Sequence, residues 1–169
     1  IFQNSFTLKT KNRLGIEVWS YLDILMTAKQ LAKKIQSQFK EITSDPVEFR
    51  DELTIDIADA KQISVVCHFA KEHLDFDYLV DLCSIDNDDE TPRWTVVYHI
   101  YSYKHFKHLR LKVHVSEEES KLPTVTNVWR TANWHEREVF DMMGIDFIGH
   151  PDLRRILMWE GYPYHPLRK

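Results

Sequence analysis

Apolar residues in the first half of the chain recur with two different periods. Between residues 23 and 40 they recur every three or four positions, which predicts an amphipathic helix. Residues 53–58 alternate between apolar and polar side chains, the period of a half-buried strand, and residues 60–74 return to helical spacing. That second helical stripe contains Cys67, which we interpret as a core residue rather than a reactive thiol.

The second half of the chain is richer in strand patterns. The run from Tyr78 to Ile85 predicts a strand buried on both sides, and Trp94–Tyr103 with His108–Val115 predicts an antiparallel hairpin. A helix is expected from Thr126 to Met143, ended by Gly144. This order of elements predicts an α+β fold, a two-layer domain with a mixed, largely antiparallel sheet.

The last 26 residues differ from the rest, since they contain three of the four glycines and three of the six prolines. Turns and extended chain of this kind cannot satisfy their backbone through regular ladders, so the segment must lie on another surface. We therefore divide the chain into an α+β domain over residues 1–145 and an extended, irregular C-terminal docking tail of the same domain over 146–169.

Composition excludes several classes of protein. The longest apolar runs fall well short of the roughly 20 residues of a membrane helix. Two cysteines cannot supply a four-cysteine zinc or iron–sulfur site. A pI of 6.1 argues against nucleic-acid binding. Net charges of +5, −12 and +3 over residues 1–40, 41–90 and 91–169 suit contact with differently charged proteins, or are simply solvated surface.

Candidate metal and nucleotide sites are weak. The four most suggestive histidines fall on or beside the predicted hairpin, and we interpret them as a solvated strand face; they are His99, His105, His108 and His114. The acidic residues 86–90 lack the glycine and the final glutamate of a calcium loop. The four glycines are too widely spaced for a phosphate-binding loop, so we expect this chain to bind no cofactor.

The stretch Trp134 to Gly144 is the most informative. Helical spacing puts Glu136 in the middle of the apolar stripe, where its carboxylate is either desolvated or paired with a cation. Trp134 shares the opposite face with Arg137 and Asp141, which are predicted to form an i,i+4 ion pair. Aromatic and arginine side chains on a polar face favour a docking surface. Alternatively, Glu136 lies at the core edge and Trp134 covers a local loop, or Glu136 serves as an acid or base.

Longer motifs then resemble one family. Glu136-Arg137-Glu138, Asp141, His150, Arg154 and Ile156-Leu157 follow one another at the spacing of a known signature. The sequence LPTVT precedes that block, and GHPDLRRIL and HPLRK accompany and follow it. The region 121–169 is thus similar to the thirty-kilodalton (C-type) subunit of proton-translocating NADH–quinone oxidoreductase (respiratory complex I). Residues 161–165 form a longer turn than is usual there, and many members continue beyond the position of Lys169.

The resemblance implies a structural subunit without catalytic residues, in the peripheral hydrophilic arm of an NADH:quinone oxidoreductase. Its partners would be the quinone-site and iron–sulfur subunits, which with other subunits would carry FMN, iron–sulfur clusters, NADH and quinone. The expected location is the cytoplasmic face of the bacterial inner membrane, reached through the complex. The resemblance also implies residue roles. We expect Glu136, Arg137, Glu138 and Asp141 to fix the helix and its docking, and His150, Arg154 and Arg155 to anchor the tail. Trp134 stays an interface residue on the grounds of helical spacing.

Other interpretations stay open at this point. Equivalent subunits occur in membrane-bound hydrogenases, in dehydrogenases that oxidise the reduced deazaflavin F420, and in the photosynthetic ferredoxin-dependent complex. A stand-alone metal enzyme built on the histidines is a further alternative.

Overall fold

A computed structural model of the chain describes residues 10–11, 17–18, 25–88 and 91–169. The start of the first predicted helix, at 23–24, and the last two residues of the acidic cluster, at 89–90, lie outside the described residues. Two short strands come first, β1 (Thr10–Lys11) and β2 (Glu17–Val18), and they pair antiparallel.

A five-stranded sheet forms the centre of the fold. Its strands are β3 (Val47–Phe49), β4 (Glu52–Ile57), β5 (Tyr78–Asp86), β6 (Trp94–Ser102) and β7 (Lys107–Val115). They lie in the order β3-β4-β7-β6-β5; β4 and β7 are parallel, and the other neighbours are antiparallel. The mixed, largely antiparallel sheet is therefore confirmed.

The predicted hairpin is present as β6 and β7, with Tyr98 opposite Leu111. Strand β7 alternates as the sequence predicts, since Leu109, Leu111, Val113 and Val115 are buried and the residues between them are not. This alternation puts one face of the sheet into the core.

Helices on the sheet contribute to that core, beginning with the first two along the chain. Helix α1 (Ala28–Gln38) packs against β4, β7 and helix α2 (Ile63–Leu74), which follows a 3-10 turn at Ala60–Gln62. Helix α1 begins later than the periodicity predicts, because Thr27 caps it through a reciprocal pair of hydrogen bonds with Gln30. Cys67 is completely buried within α2, in the hydrophobic core.

Strand β5 corrects one prediction, since it is not buried on both sides. It is the edge strand of the sheet, and Tyr78, Val80 and Ile85 are 38%, 38% and 45% exposed. The doubly buried strand is β6, which lies between β5 and β7. An apolar run can therefore belong to a partly exposed edge strand as well as to a central one.

Helix α3 (Ala132–Met143) begins six residues later than the predicted Thr126. Residues 125–131 form turns instead, held to the sheet by two side chains. The Trp129 indole Nε1 donates to the Phe76 carbonyl at 3.0 Å, and the Thr131 hydroxyl donates to the Leu79 carbonyl at 3.2 Å. Gly144 ends the helix in the left-handed conformation (φ 71°), as expected.

The tail begins with regular structure, which corrects the expectation of an irregular segment throughout. Strand β9 (Asp146–Ile148) pairs parallel with β8 (Lys121–Pro123), so the first residues of the tail do form a ladder. Residues 149–169, all of which the structure describes, contain turns and extended chain only.

Candidate docking interface

The carboxylate of Asp141 is the centre of the contact between helix α3 and the tail. Its side chain is fully buried, and its Oδ2 accepts the backbone N–H groups of Ile156, Leu157 and Met158 at 3.0, 2.7 and 2.8 Å. Its Oδ1 accepts from Arg155 Nη1 at 2.5 Å. Burial alone would raise the pKa of Asp141, but these donors outweigh burial and hold the pKa below its usual value.

The predicted pair between Arg137 and Asp141 is therefore wrong, because Arg155 occupies the carboxylate. The Arg155 guanidinium also donates to the carbonyls of Tyr162 and Tyr164 at 2.7 and 3.1 Å. This one side chain thus joins the helix to two further points of the tail.

Arg137 holds the tail through the tail's backbone. Its Nε and Nη2 donate to the carbonyls of Arg154 and Arg155, each at 3.1 Å, and only 8% of the residue is exposed. The guanidinium lies 5.3 Å from the ring centroid of Trp134, which is 61% exposed. The polar face of α3 is thus covered by the chain's own tail, with Trp134 beside it.

The tail also satisfies the end of α3, whose last carbonyls have no partners within the helix. Leu167 N–H donates to Met142 O at 3.1 Å, and Arg168 Nε donates to Met143 O at 2.7 Å. His165 Nδ1 donates to Asp141 O at 3.0 Å. The Arg168 cation also lies where the helix macrodipole is negative, which is favourable.

A further contact, which the sequence does not indicate, fixes the last residue. Asp86 accepts from Arg93 Nε at 3.0 Å and from the backbone N–H of Lys169 at 2.8 Å. Arg93 Nη2 donates to the Lys169 carbonyl at 3.1 Å. The hydrogen bond with Arg93 holds the pKa of Asp86 well below its usual range. No local pattern reveals this contact, because Asp86 and Lys169 are 83 positions apart.

Glu136 lies on the inner side of α3 and has no exposed surface. Its carboxylate accepts from the Thr124 hydroxyl at 2.6 Å and from Val125 N–H at 2.7 Å, and among the described residues no cation pairs with it. Burial raises the pKa of Glu136 to about 7. The sequence left open whether the Glu136 carboxylate is desolvated or paired with a cation, and the structure shows that it is desolvated. Its two hydrogen bonds hold the loop between β8 and α3.

The other predicted residues take different positions. His150 joins the tail to the start of α3, since its Nε2 donates to Asn133 O at 3.1 Å while its Nδ1 accepts from Asp152 N–H at 3.0 Å. The Arg154 side chain is 72% exposed and pairs with Asp152 at 2.9 Å. Glu138 is exposed. Its charge acts on Cys83: burial raises the pKa of that thiol, and the negative charges of Asp81 and Glu138 raise it further.

The histidines are only partly a solvated surface. His105 is almost completely buried and accepts the Met26 N–H at 3.1 Å, which corrects its predicted exposure. Within the described ranges, no group of three or more His, Cys, Asp or Glu side chains is placed to hold a metal ion.

The outer surface of the tail and α3 is rich in apolar side chains. Six of them are at least 60% exposed: Trp134, Ile148, Leu157, Trp159, Tyr164 and Leu167. Trp159 packs edge-on against Tyr162, with ring centroids 4.6 Å apart. Exposed aromatic residues on a rigid support are typical of protein interfaces. The class of protein that the fold and this site define is an α+β module with an ordered tail that carries exposed aromatic side chains.

Comparison with known families identifies the chain. Residues 57–169 match the family model of the respiratory-chain NADH dehydrogenase 30 kDa subunit, and the chain belongs to that family.

Among the residues that the structure describes, the longest helices have 12 residues, too short to cross a membrane.

Curated relatives agree with this assignment. The chain is 56% identical over 111 residues to a C-type NADH-quinone oxidoreductase subunit of Rhizobium meliloti, an alignment that covers 64% of this chain and 60% of that protein. It is 44% identical over 136 residues to the C-type NADH-quinone oxidoreductase subunit of Geotalea uraniireducens, covering 80% and 82%. The chain thus spans about three fifths of the Rhizobium meliloti protein.

Solved structures confirm the fold. A trypsin-resistant fragment (1–134) of Nqo5 superimposes with a TM-score of 0.66 at 28% identity, covering 76% of this chain and all of that one. A chain of the membrane-bound sulfane sulfur reductase, an archaeal respiratory membrane complex, gives a TM-score of 0.71 at 19% identity, covering 82% of each.

Proposed function

We propose that this chain is a structural, non-catalytic subunit of the peripheral arm of a proton-translocating NADH:quinone oxidoreductase. Its role is to support the neighbouring quinone-site and iron–sulfur subunits, on the cytoplasmic face of the bacterial inner membrane. The observation that carries the proposal is the tail, which Asp141 and Arg155 fix rigidly to α3 while its aromatic side chains stay exposed. Family membership supports the same role.

The distribution of buried carboxylates and exposed apolar side chains supports docking rather than catalysis. The carboxylates that an enzyme would point into a cleft, those of Glu136 and Asp141, are enclosed and hydrogen-bonded to the chain itself. The exposed side chains of the same region include Trp134, Trp159 and Leu157, and aromatic residues in particular dominate interface energetics.

Electron transfer from NADH to quinone is assigned, in this proposal, to other subunits that carry FMN, iron–sulfur clusters and the quinone site. The two cysteines support this assignment, because an iron–sulfur cluster usually takes four protein ligands. Cys67 is enclosed in α2 and Cys83 lies on strand β5. Burial raises the pKa of both thiols, which disfavours the thiolate that a metal requires.

The substitution Arg154→Ala tests the proposal. The Arg154 side chain is 72% exposed, and Asp152 is its only partner among the described residues, so the chain alone should keep its stability within about 0.5 kcal/mol. In the complex the same substitution should reduce the amount of this subunit that copurifies with its partners. Subunit occupancy is measured by quantitative mass spectrometry of the purified complex.

Arg50→Ala provides the matched control. Arg50 is another exposed arginine, in the turn between β3 and β4 at the opposite edge of the sheet from β5. Normal occupancy is expected for this control. Full occupancy of the Arg154→Ala subunit would contradict a docking role for the tail, and a chain that copurifies with no other subunits of the complex would refute the proposed function.

A further inference from the structure

Arg137 is a buried cation that has no counter-ion among the residues that the structure describes. Only 8% of the residue is exposed, yet within the described part of the chain no carboxylate forms an ion pair with it. Its neighbours differ in this respect, because Arg155 pairs with Asp141 and Arg154 pairs with Asp152. A buried guanidinium that contacts only carbonyl dipoles and a ring is incompletely compensated, which is costly.

A cavity opens beside this cation. It has a volume of about 350 Å³ and is lined by Arg137, Arg154, Arg155, Met158, Glu160 and Gly161. Arg137 uses Nε and Nη2 for tail carbonyls, and no acceptor among the described residues is bonded to its Nη1. Arg154 lines the same cavity; its side chain is 72% exposed, and among the described residues only its Nε is paired, with Asp152.

We propose that this cavity receives a carboxylate side chain, Asp or Glu, from a neighbouring polypeptide of the complex. The carboxylate would accept from Arg137 on the inner side and from Arg154 on the outer side, and it would replace Asp152 as the partner of Arg154. Exchange of that partner costs little, because the pair between Asp152 and Arg154 is exposed. Guanidinium groups match the two oxygens of a carboxylate, which gives the contact its specificity.

The surroundings favour a polypeptide over a free anion. Trp134 stacks on Arg137, and Trp159 lies in sequence between the lining residues Met158 and Glu160; both indoles are more than 60% exposed. A protein surface that carries one carboxylate can cover both indoles while it neutralises Arg137. This inference rests on the proposed function, since it names the chemistry of the partner at the docking tail.

Zero-length cross-linking in the purified complex tests the inference. The substitution Arg154→Lys keeps the positive charge and introduces an amine, which a carbodiimide couples only to a carboxylate in direct contact. We expect an amide cross-link from position 154 to an Asp or Glu of another subunit, located by mass spectrometry. Arg50→Lys, at the far edge of the sheet, is the control and should give at most about a tenth of that cross-link yield.

A second measurement does not depend on cross-linking. Arg154→Gln should make the subunit leave the complex about tenfold faster, the equivalent of about 1.4 kcal/mol, and this difference should shrink as salt is raised. Cross-links from position 154 that reach only Asp152 or Glu160, or none while the subunit is at full occupancy, would overturn the inference and leave the proposed function standing. Absence of the unsubstituted chain from the complex would instead refute the proposed function.

Discussion

The Asp141 carboxylate should contribute more to the stability of the tail than any other side chain in contact with it. The substitution Asp141→Asn keeps the size of the side chain but removes its charge and places an amide N–H₂ among donors. Three backbone N–H groups and Arg155 Nη1 converge on Asp141, and an asparagine oxygen cannot accept from all of them. Arg155, whose side chain is only 18% exposed, would also lose its counter-ion.

The magnitude follows from these contacts. Removal of one partner from a buried ion pair costs about 3–5 kcal/mol, and partial exposure of Arg155 puts the expected loss at the lower end, about 3 kcal/mol. For a chain of this size that corresponds to a fall in Tm of about 6–12 °C. If the tail opens by itself, hydrogen exchange at Ile156, Leu157 and Met158 should accelerate about a hundredfold, since their N–H groups donate to Asp141.

Urea denaturation followed by tryptophan fluorescence, together with hydrogen exchange, measures both effects. Asp152→Asn is the matched control, because it removes an exposed carboxylate of the same tail and should change stability by less than about 1 kcal/mol. The pKa of Asp141 is lowered by folding, so its stabilisation is complete above the ordinary carboxyl pKa and is lost as the pH falls below it. The two chains should therefore converge in stability in strong acid. An Asp141→Asn chain as stable as the unsubstituted chain, with unchanged exchange, would refute this reasoning.

Two further predictions concern side chains of α3 and its end. The pKa of Glu136 is raised from 4.5 to about 7, so the folded chain keeps a proton that the unfolded chain releases, and stability should fall by up to about 3 kcal/mol as the pH rises across that window. Glu136→Gln should flatten that fall in urea titrations at several pH values; an unchanged slope would contradict the burial argument. Gly144→Ala should lower the free energy of unfolding by about 2–3 kcal/mol, because φ is 71° and the added Cβ would lie 2.6 Å from His165 Nε2. Gly161→Ala, with φ 82° and no neighbouring atom within 4 Å, should lose only about 1 kcal/mol, and equal losses in the two melts would show that the tail does not press on Gly144.

The sequence predicts those parts of the fold that depend on local periodicity. The alternation of residues 108–115 identifies β7 and its inward face, and the position of Gly144 identifies the end of α3, because each of these signals acts over a few residues. Helical periodicity misplaces the start of α3, because Trp129 and Thr131 donate to backbone carbonyls at and just before β5, a contact that no helical period reveals.

The contact between α3 and the tail shows more clearly that local periodicity does not reveal contacts between distant residues. The spacing of Arg137 and Asp141 is ideal for a pair within one helix, but Arg155 can approach Asp141 along with three backbone N–H groups from the tail. The sequence contains all these residues without indicating which arginine reaches the carboxylate. The contact between Asp86 and Lys169 depends on the complete path of the chain, so only the three-dimensional structure reveals it.

The polar contacts that hold residues 150–169 against α3 have a consequence for association. A segment that becomes ordered only when it meets its partner loses conformational entropy at that moment, and its affinity is lower as a result. Here Asp141, Arg155 and Arg168 order the segment while the chain folds. The indole and phenol rings of Trp159 and Tyr164 are therefore already positioned before a partner binds. The binding free energy is then not reduced by the entropy cost of ordering this backbone.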